Sequence, residues 1–193
     1  MTRLSNSAIA LRTLKTLLLS FESLVVLVSL GFLVWDHSRG SLFGRDAADS
    51  LSTHLSFAPA KALAGNGLTL FTYPLIHQSF EHLAASGAIL ILLGIRLVNT
   101  STKWIRISFC GAASVAIALS YLLPLAPQAT EADRVFGLSA LAHAYLGASL
   151  ILRPTLLATS IFLALVGLMI WNAPSALTMW GHGAGFTIGL AAA

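Results

Sequence analysis

Charge is what this sequence has least of. Only 9% of its 193 residues are charged, while 56% are hydrophobic and the mean hydropathy is +0.84. Ordinary soluble domains carry about 25% charged residues. A water-soluble core of this size could not hide so much apolar surface, so an ordinary soluble domain is excluded and an integral membrane protein is implied. Cysteine is almost absent as well. The single Cys110 rules out an intrachain disulfide and a cysteine-built zinc site, and is expected to serve as a small buried apolar residue. The formal charge of +4 would suggest nucleic acid for a soluble chain. Here no basic stripe interleaves with aromatic residues, so nucleic acid is not an expected partner. Basic residues collecting in short cytoplasmic loops account for the excess. There is no internal repeat or low-complexity tract, and a single transmembrane domain over 1–193 is expected.

What the chain has instead is apolar runs. A helix needs roughly 20 apolar residues to cross the hydrocarbon core. Six runs come close, at about 17–35, 80–98, 105–123, 135–152, 156–171 and 176–192. Arg153 and Pro154 mark a tight turn between the fourth and fifth. The first run follows a basic leader (Arg3, Arg12, Lys15), but it is longer than a signal-peptide core and no small-x-small cleavage site follows it. A retained helix is expected, in which Glu22 must snorkel or face a neighbouring helix. With the N-terminus inside, the inner segments hold Arg3, Arg12, Lys15, Arg96, Lys103, Arg106 and Arg153; the outer ones hold Arg39, Arg45, Lys61 and Arg134. The positive-inside rule therefore gives an all-α, six-helix bundle with both termini inside. Its first outer loop, 36–72, is long, and part of it suits the membrane interface.

On this topology the intramembrane polar groups converge. The second, fourth and sixth helices all enter from outside. They bring His77, His82, Ser86, Ser139, His143 and His182 to one level below the outer surface. Taken alone, Ser139 would bond back to a carbonyl one turn earlier, and His77 and His82 would be interfacial residues. Together they make a candidate nucleophilic site, which needs a base within hydrogen-bond reach and donors for a developing oxyanion. Ser139 is the candidate nucleophile. His143 lies four residues on, and side chains so spaced point the same way. His182 on a neighbouring helix approaches more directly. Gly181, Gly185 and Gly189 on the sixth helix, and Gly137, Ala140, Ala144 and Gly147 on the fourth, provide small faces for close packing. "HQSFEH" matches neither HExxH nor HxxEH, and no carboxylate or cysteine clusters near His143 and His182. No metal and no other cofactor are expected.

These residues also carry a family resemblance. "GLSA" (Gly137–Ala140) and "GHGAGFTIG" (Gly181–Gly189) resemble the GxSG and AHxxGxxxG motifs of rhomboid intramembrane serine proteases, and "HQSFEHLAAS" (His77–Ser86) resembles the family's second-helix motif. The resemblance implies a six-helix rhomboid-like bundle in which Ser139 is the nucleophile and His182 the general base. It also implies an oxyanion held by the Ser139 N–H and the His82 side chain, with Gly137, Leu138 and His77 around it, and a cavity open to the outer face. Two positions depart from the pattern. Ser86 stands where the family has an oxyanion-binding asparagine, and Ala140 replaces the glycine after the nucleophile. Many rhomboids carry a tyrosine four residues after the serine, stacked on the catalytic histidine. "GLSALAH", with His143 there, looks more like the rhombosortase branch. That branch implies a bacterial inner-membrane protein with its site toward the periplasm. Its substrates are single-span proteins bearing a C-terminal Gly-Gly, membrane helix and basic tail.

The expected function is therefore intramembrane serine endopeptidase, with transmembrane proteins as substrates and the lipid bilayer as solvent. Two other classes compete. A non-catalytic rhomboid-like protein that binds membrane helices is mildly favoured by Ser86, while Ser139 and His182 argue against it. A small transporter is disfavoured, because the polar groups lie at one face and form no path across the bilayer.

Overall fold

The computed structural model describes residues 20–43, 54–59, 62, 64–65, 67–77, 79–98, 101–122, 135, 137–172 and 176–193. Six long helices run through them. We number them α1 (Phe21–Phe43), α2 (Phe80–Leu97), α3 (Lys103–Ser120), α4 (Ser139–Leu152), α5 (Leu156–Asn172) and α6 (Ala176–Ala191). Before α2, a short helical turn (Thr69–Thr72) leads into a 3-10 turn (Tyr73–Leu75). The protein is thus all-α among the described residues. Three of its helices, Phe21–Ser38 within α1, α2 and α3, are long and apolar enough to cross a membrane.

Local chemistry sets several of the boundaries. The Ser79 side chain caps α2 by accepting from the His82 N–H at 3.2 Å, and Thr102 caps α3 by accepting from the Ile105 N–H at 3.3 Å. Each cap satisfies one of the donors orphaned at a helix start.

Two expected boundaries are corrected. The apolar run predicts a first helix over 17–35; the described helix continues to Phe43, so it takes up the start of the expected loop, while 17–19 lie outside the described residues. The fourth helix was expected from 135; it begins at Ser139. The residues before it are held differently. Val135 forms an antiparallel bridge with Phe57, and Gly137 has φ +99°, a conformation that no residue inside a right-handed helix adopts.

The core sits on α4. Every residue from Ala140 to Ser149 is buried, and α2, α3, α5 and α6 all contact this helix. Its sequence, mostly Ala, Leu and Gly, permits that. The closest partner is α6. A Cβ on Gly185 would strike the Ala140 carbonyl, one on Gly189 the Ala144 carbonyl, and one on Gly147 the Phe186 carbonyl. Small residues therefore let the two backbones touch. Outside this core the helices present apolar surface. Leu24, Leu27, Val34 and Trp35 on α1, Trp104 and Ile105 on α3, and Leu156 and Leu163 on α5 are exposed, as a lipid-facing surface requires. Glu22 takes the second of its two expected options. It is fully buried and pairs with Arg106 of α3 at 2.9 Å. Cys110 is buried and free.

Candidate active site

The site is built around the turn that delivers Ser139. The turn is pinned at three residues. Phe57 and Val135 exchange both backbone hydrogen bonds, at 3.0 and 2.8 Å. The Gly137 N–H donates to the Tyr73 carbonyl at 3.0 Å, and the Leu138 N–H donates to His77 Nε2 at 3.1 Å. Tyr73 is itself tied to α3, its hydroxyl donating to the Ser114 carbonyl at 3.2 Å. Segments far apart in sequence thus converge on Val135, Gly137 and Leu138.

Gly137 is required twice over. Its φ of +99° is strained for any residue with a Cβ, and a Cβ there would lie 2.9 Å from Cε1 of the His82 ring. His82, half-buried on α2, is therefore held directly against the turn. His77 meets His82 edge-on, with ring centroids 5.4 Å apart. Ser86, one turn further into α2, is buried.

Ser139 is the first residue of α4, not one turn inside it. The first intrahelical bond of the α4 start runs from the Ala142 N–H to the Leu138 carbonyl, at 2.8 Å. The N–H groups of Ser139, Ala140 and Leu141 consequently have no intrahelical acceptor, and the positive end of the helix dipole lies at the serine. That is a favourable place for a developing oxyanion. The Leu138 N–H is not part of it, because His77 already occupies that donor.

His143 lies one turn below Ser139. Its Nδ1 contacts the Ser139 carbonyl at 2.7 Å. A carbonyl only accepts, so Nδ1 carries the proton and donates. The His143 ring stacks on His182 of α6 with centroids 4.2 Å apart and planes 11° apart. His143 Nε2 and His182 Nδ1 are buried and make no hydrogen bond among the described residues. His182 is thereby fixed relative to Ser139 through one intermediate ring. The start of α6 is fixed on its other side by α3. The Trp180 indole N–H donates to the Ser120 carbonyl at 3.1 Å, and Gly181 abuts the Tyr121 hydroxyl. Of the glycines expected to pack α6 on α4, Gly185 and Gly189 do so, whereas Gly181 makes room for Tyr121.

Histidine 77 lies outside the spanning helices. Burial first, and the neighbouring His82 second, lower its pKa to about 4. It is neutral at physiological pH, the form in which Nε2 can accept the Leu138 N–H.

Sequence reasoning missed Phe57, Tyr73 and Tyr121. They act through backbone groups or by filling the space over a glycine, and neither role leaves a motif. A tyrosine in an otherwise apolar run, needing a partner for its hydroxyl, was the one available signal.

Compared with known families, residues 64–193 match the family described as Rhomboid domain. No curated protein matches the chain.

Proposed function

Since the chain belongs to the rhomboid family, whose members are membrane-embedded and act on transmembrane substrates, we propose that it is an intramembrane serine endopeptidase with a Ser139–His182 dyad. The observation that supports this reading is the position of Ser139 at the start of α4, with His143 bonded to the Ser139 carbonyl and stacked on His182.

In the proposed reaction, Ser139 Oγ attacks the scissile carbonyl carbon and His182 takes the hydroxyl proton. The carbonyl oxygen becomes an oxyanion, received by the N–H groups at the α4 start and by the His82 side chain. Collapse of the tetrahedral intermediate breaks the C–N bond, and the amine leaves with the proton returned by His182. Water, deprotonated by the same histidine, then attacks the acyl ester and releases Ser139. Ser86 replaces the asparagine that the family resemblance expects near the oxyanion. Losing one such donor elsewhere costs ~10²–10³ in rate, so a slow enzyme is expected, and Ser86→Asn is expected to raise kcat.

The inside-to-inside topology gives the site its address. The starts of α2, α4 and α6 lie at the outer face, toward the periplasm of a bacterial inner membrane, and the whole chain forms one rhomboid-like domain. His143 in place of a stacking tyrosine supports the rhombosortase branch, whose substrates carry a C-terminal Gly-Gly, membrane helix and basic tail. Substrate helices must unwind locally before attack, and glycine eases that step.

A second reading, a helix-binding protein without catalysis, draws on Ser86. Comparing membrane and secreted proteins of cells carrying wild type or Ser139→Ala separates the two. Accumulation of uncleaved Gly-Gly-tailed precursors in the variant supports the protease and the branch. Accumulation of other single-span proteins supports the protease alone. Identical protein profiles support the helix-binding reading.

A further inference from the structure

The bundle buries a second polar cluster, apart from the site. Glu22 Oε1 accepts from Arg106 Nε at 2.9 Å and from the Tyr145 hydroxyl at 3.3 Å. The same hydroxyl lies 3.5 Å from the Arg106 carbonyl, and Arg106 Nη1 donates to the Ser101 carbonyl at 3.0 Å. Glu22, Arg106 and Tyr145 are all buried. Beside them Gly94 of α2 leaves the space that Glu22 fills; a Cβ there would run into the carboxylate stem.

Four helices therefore meet at one carboxylate. An ion pair whose only task was to join α1 to α3 would need Glu22 and Arg106 alone. This one also engages the two helices that build the site. Tyr145 is on α4, six residues beyond Ser139, about 9 Å along the axis. Gly94 is on α2, twelve residues beyond His82, about 18 Å along that helix. The Tyr145 hydroxyl, held at its tip, fixes both the height and the rotation of α4. Leverage is considerable. A side-chain oxygen roughly 5 Å off a helix axis moves about 1 Å for a rotation of about 10°, and misplacement of about 1 Å can lower a rate ~10²-fold.

We infer that Glu22, Arg106 and Tyr145 form a positioning set that holds α4 in register against α2, and so sets Ser139 against His82. This inference rests on the proposed protease reading for its consequence in rate, but the positioning itself can be measured without catalysis.

The test uses the full chain in detergent. Tyr145→Phe removes one hydroxyl and keeps the ring, so the fold is retained. Glu22→Gln keeps an acceptor at Oε1, and Glu22→Leu removes it. Two quantities are read in each variant with its Tm: the rate of Ser139 modification by a fluorophosphonate, and hydrogen exchange of the amides at 138–141. Tyr145→Phe is expected to slow modification about tenfold at saturating reagent, with half-saturation unchanged, and to speed exchange at 138–141 while Tm stays within a few degrees. Glu22→Gln is expected to lie between wild type and Glu22→Leu. Unchanged exchange at 138–141 in Tyr145→Phe overturns the inference, whatever happens to Tm in the Glu22 variants. Wild-type protein that takes no label would overturn the protease reading instead, and exchange would still decide the positioning.

Discussion

His77 holds the turn before the proposed nucleophile through a single backbone N–H. It holds the Leu138 N–H, and through it the turn before Ser139, only while its imidazole is neutral. With a pKa of about 4 in the fold against about 6.5 in the unfolded chain, it takes up a proton more readily when unfolded. Its contribution is fully present above pH 6.5 and drains away as the pH falls toward 4. At ~1.4 kcal/mol per unit, that window corresponds to about 3 kcal/mol. Thermal unfolding of wild type should therefore weaken steeply between pH 6.5 and 4, and His77→Gln should flatten that slope. Parallel slopes would show that His77 is not responsible. Gly137→Ala is a second test at this scale. It places a Cβ at φ +99°, against the His82 ring. The backbone strain alone costs roughly 1–2 kcal/mol, and displacement of His82 should lower Ser139 reactivity further. A fully reactive Gly137→Ala protein would contradict the placement of His82. Ser139, His143 and His182 stood out in the sequence because hydroxyl and imidazole groups are expensive in apolar spans. The role of His77 did not stand out, since its partner is a backbone N–H, which no side-chain pattern records.

Among elements, α4 and α6 decide the most. Their backbones touch where Gly185 and Gly189 meet Ala140 and Ala144, so even one methyl group forces them apart. Gly185→Ala is expected to cost about 1–3 kcal/mol as an overpacking substitution, seen as a lower Tm in detergent. Gly183→Ala, on the same helix but facing open space, should leave Tm unchanged. Equal effects at the two positions would refute the close packing. The small-residue spacing made this contact legible beforehand. The start of α4 was not legible, because Val135, Phe136 and Leu138 are as apolar as the helix that follows. Hydropathy cannot distinguish a pinned extended turn from a first helical turn. Only the Gly137 conformation and the bridge to Phe57 do so. The far end of α1 is hard to place from sequence for the opposite reason. Asp36, His37 and Arg39 are polar enough to resemble a loop, yet the helix runs on to Phe43.

For the whole molecule, a polar cluster lies at each end of an apolar bundle. The catalytic candidates gather at the starts of α2, α4 and α6. Glu22 and Arg106 gather at the starts of α1 and α3, near the end of α2. From the alternation of basic residues we propose that the first end faces outside. Cysteine accessibility in intact cells tests that assignment, and the buried Cys110 gives little background. Glu81→Cys should react with an impermeant maleimide from outside, and Lys103→Cys only after permeabilisation; both positions are exposed. The reverse result would invert the topology and place the site on the cytoplasmic face.

The central claim is that Ser139 is a nucleophile activated by His182. The most direct measurement is the mass and position of the adduct formed when the purified, folded chain meets a fluorophosphonate. One adduct on Ser139 is expected in wild type, none in Ser139→Ala, and a rate lowered by ~10² or more in His182→Ala, the usual contribution of a general base. A folded wild-type protein that forms no adduct at Ser139, or forms it as fast without His182, would contradict the claim.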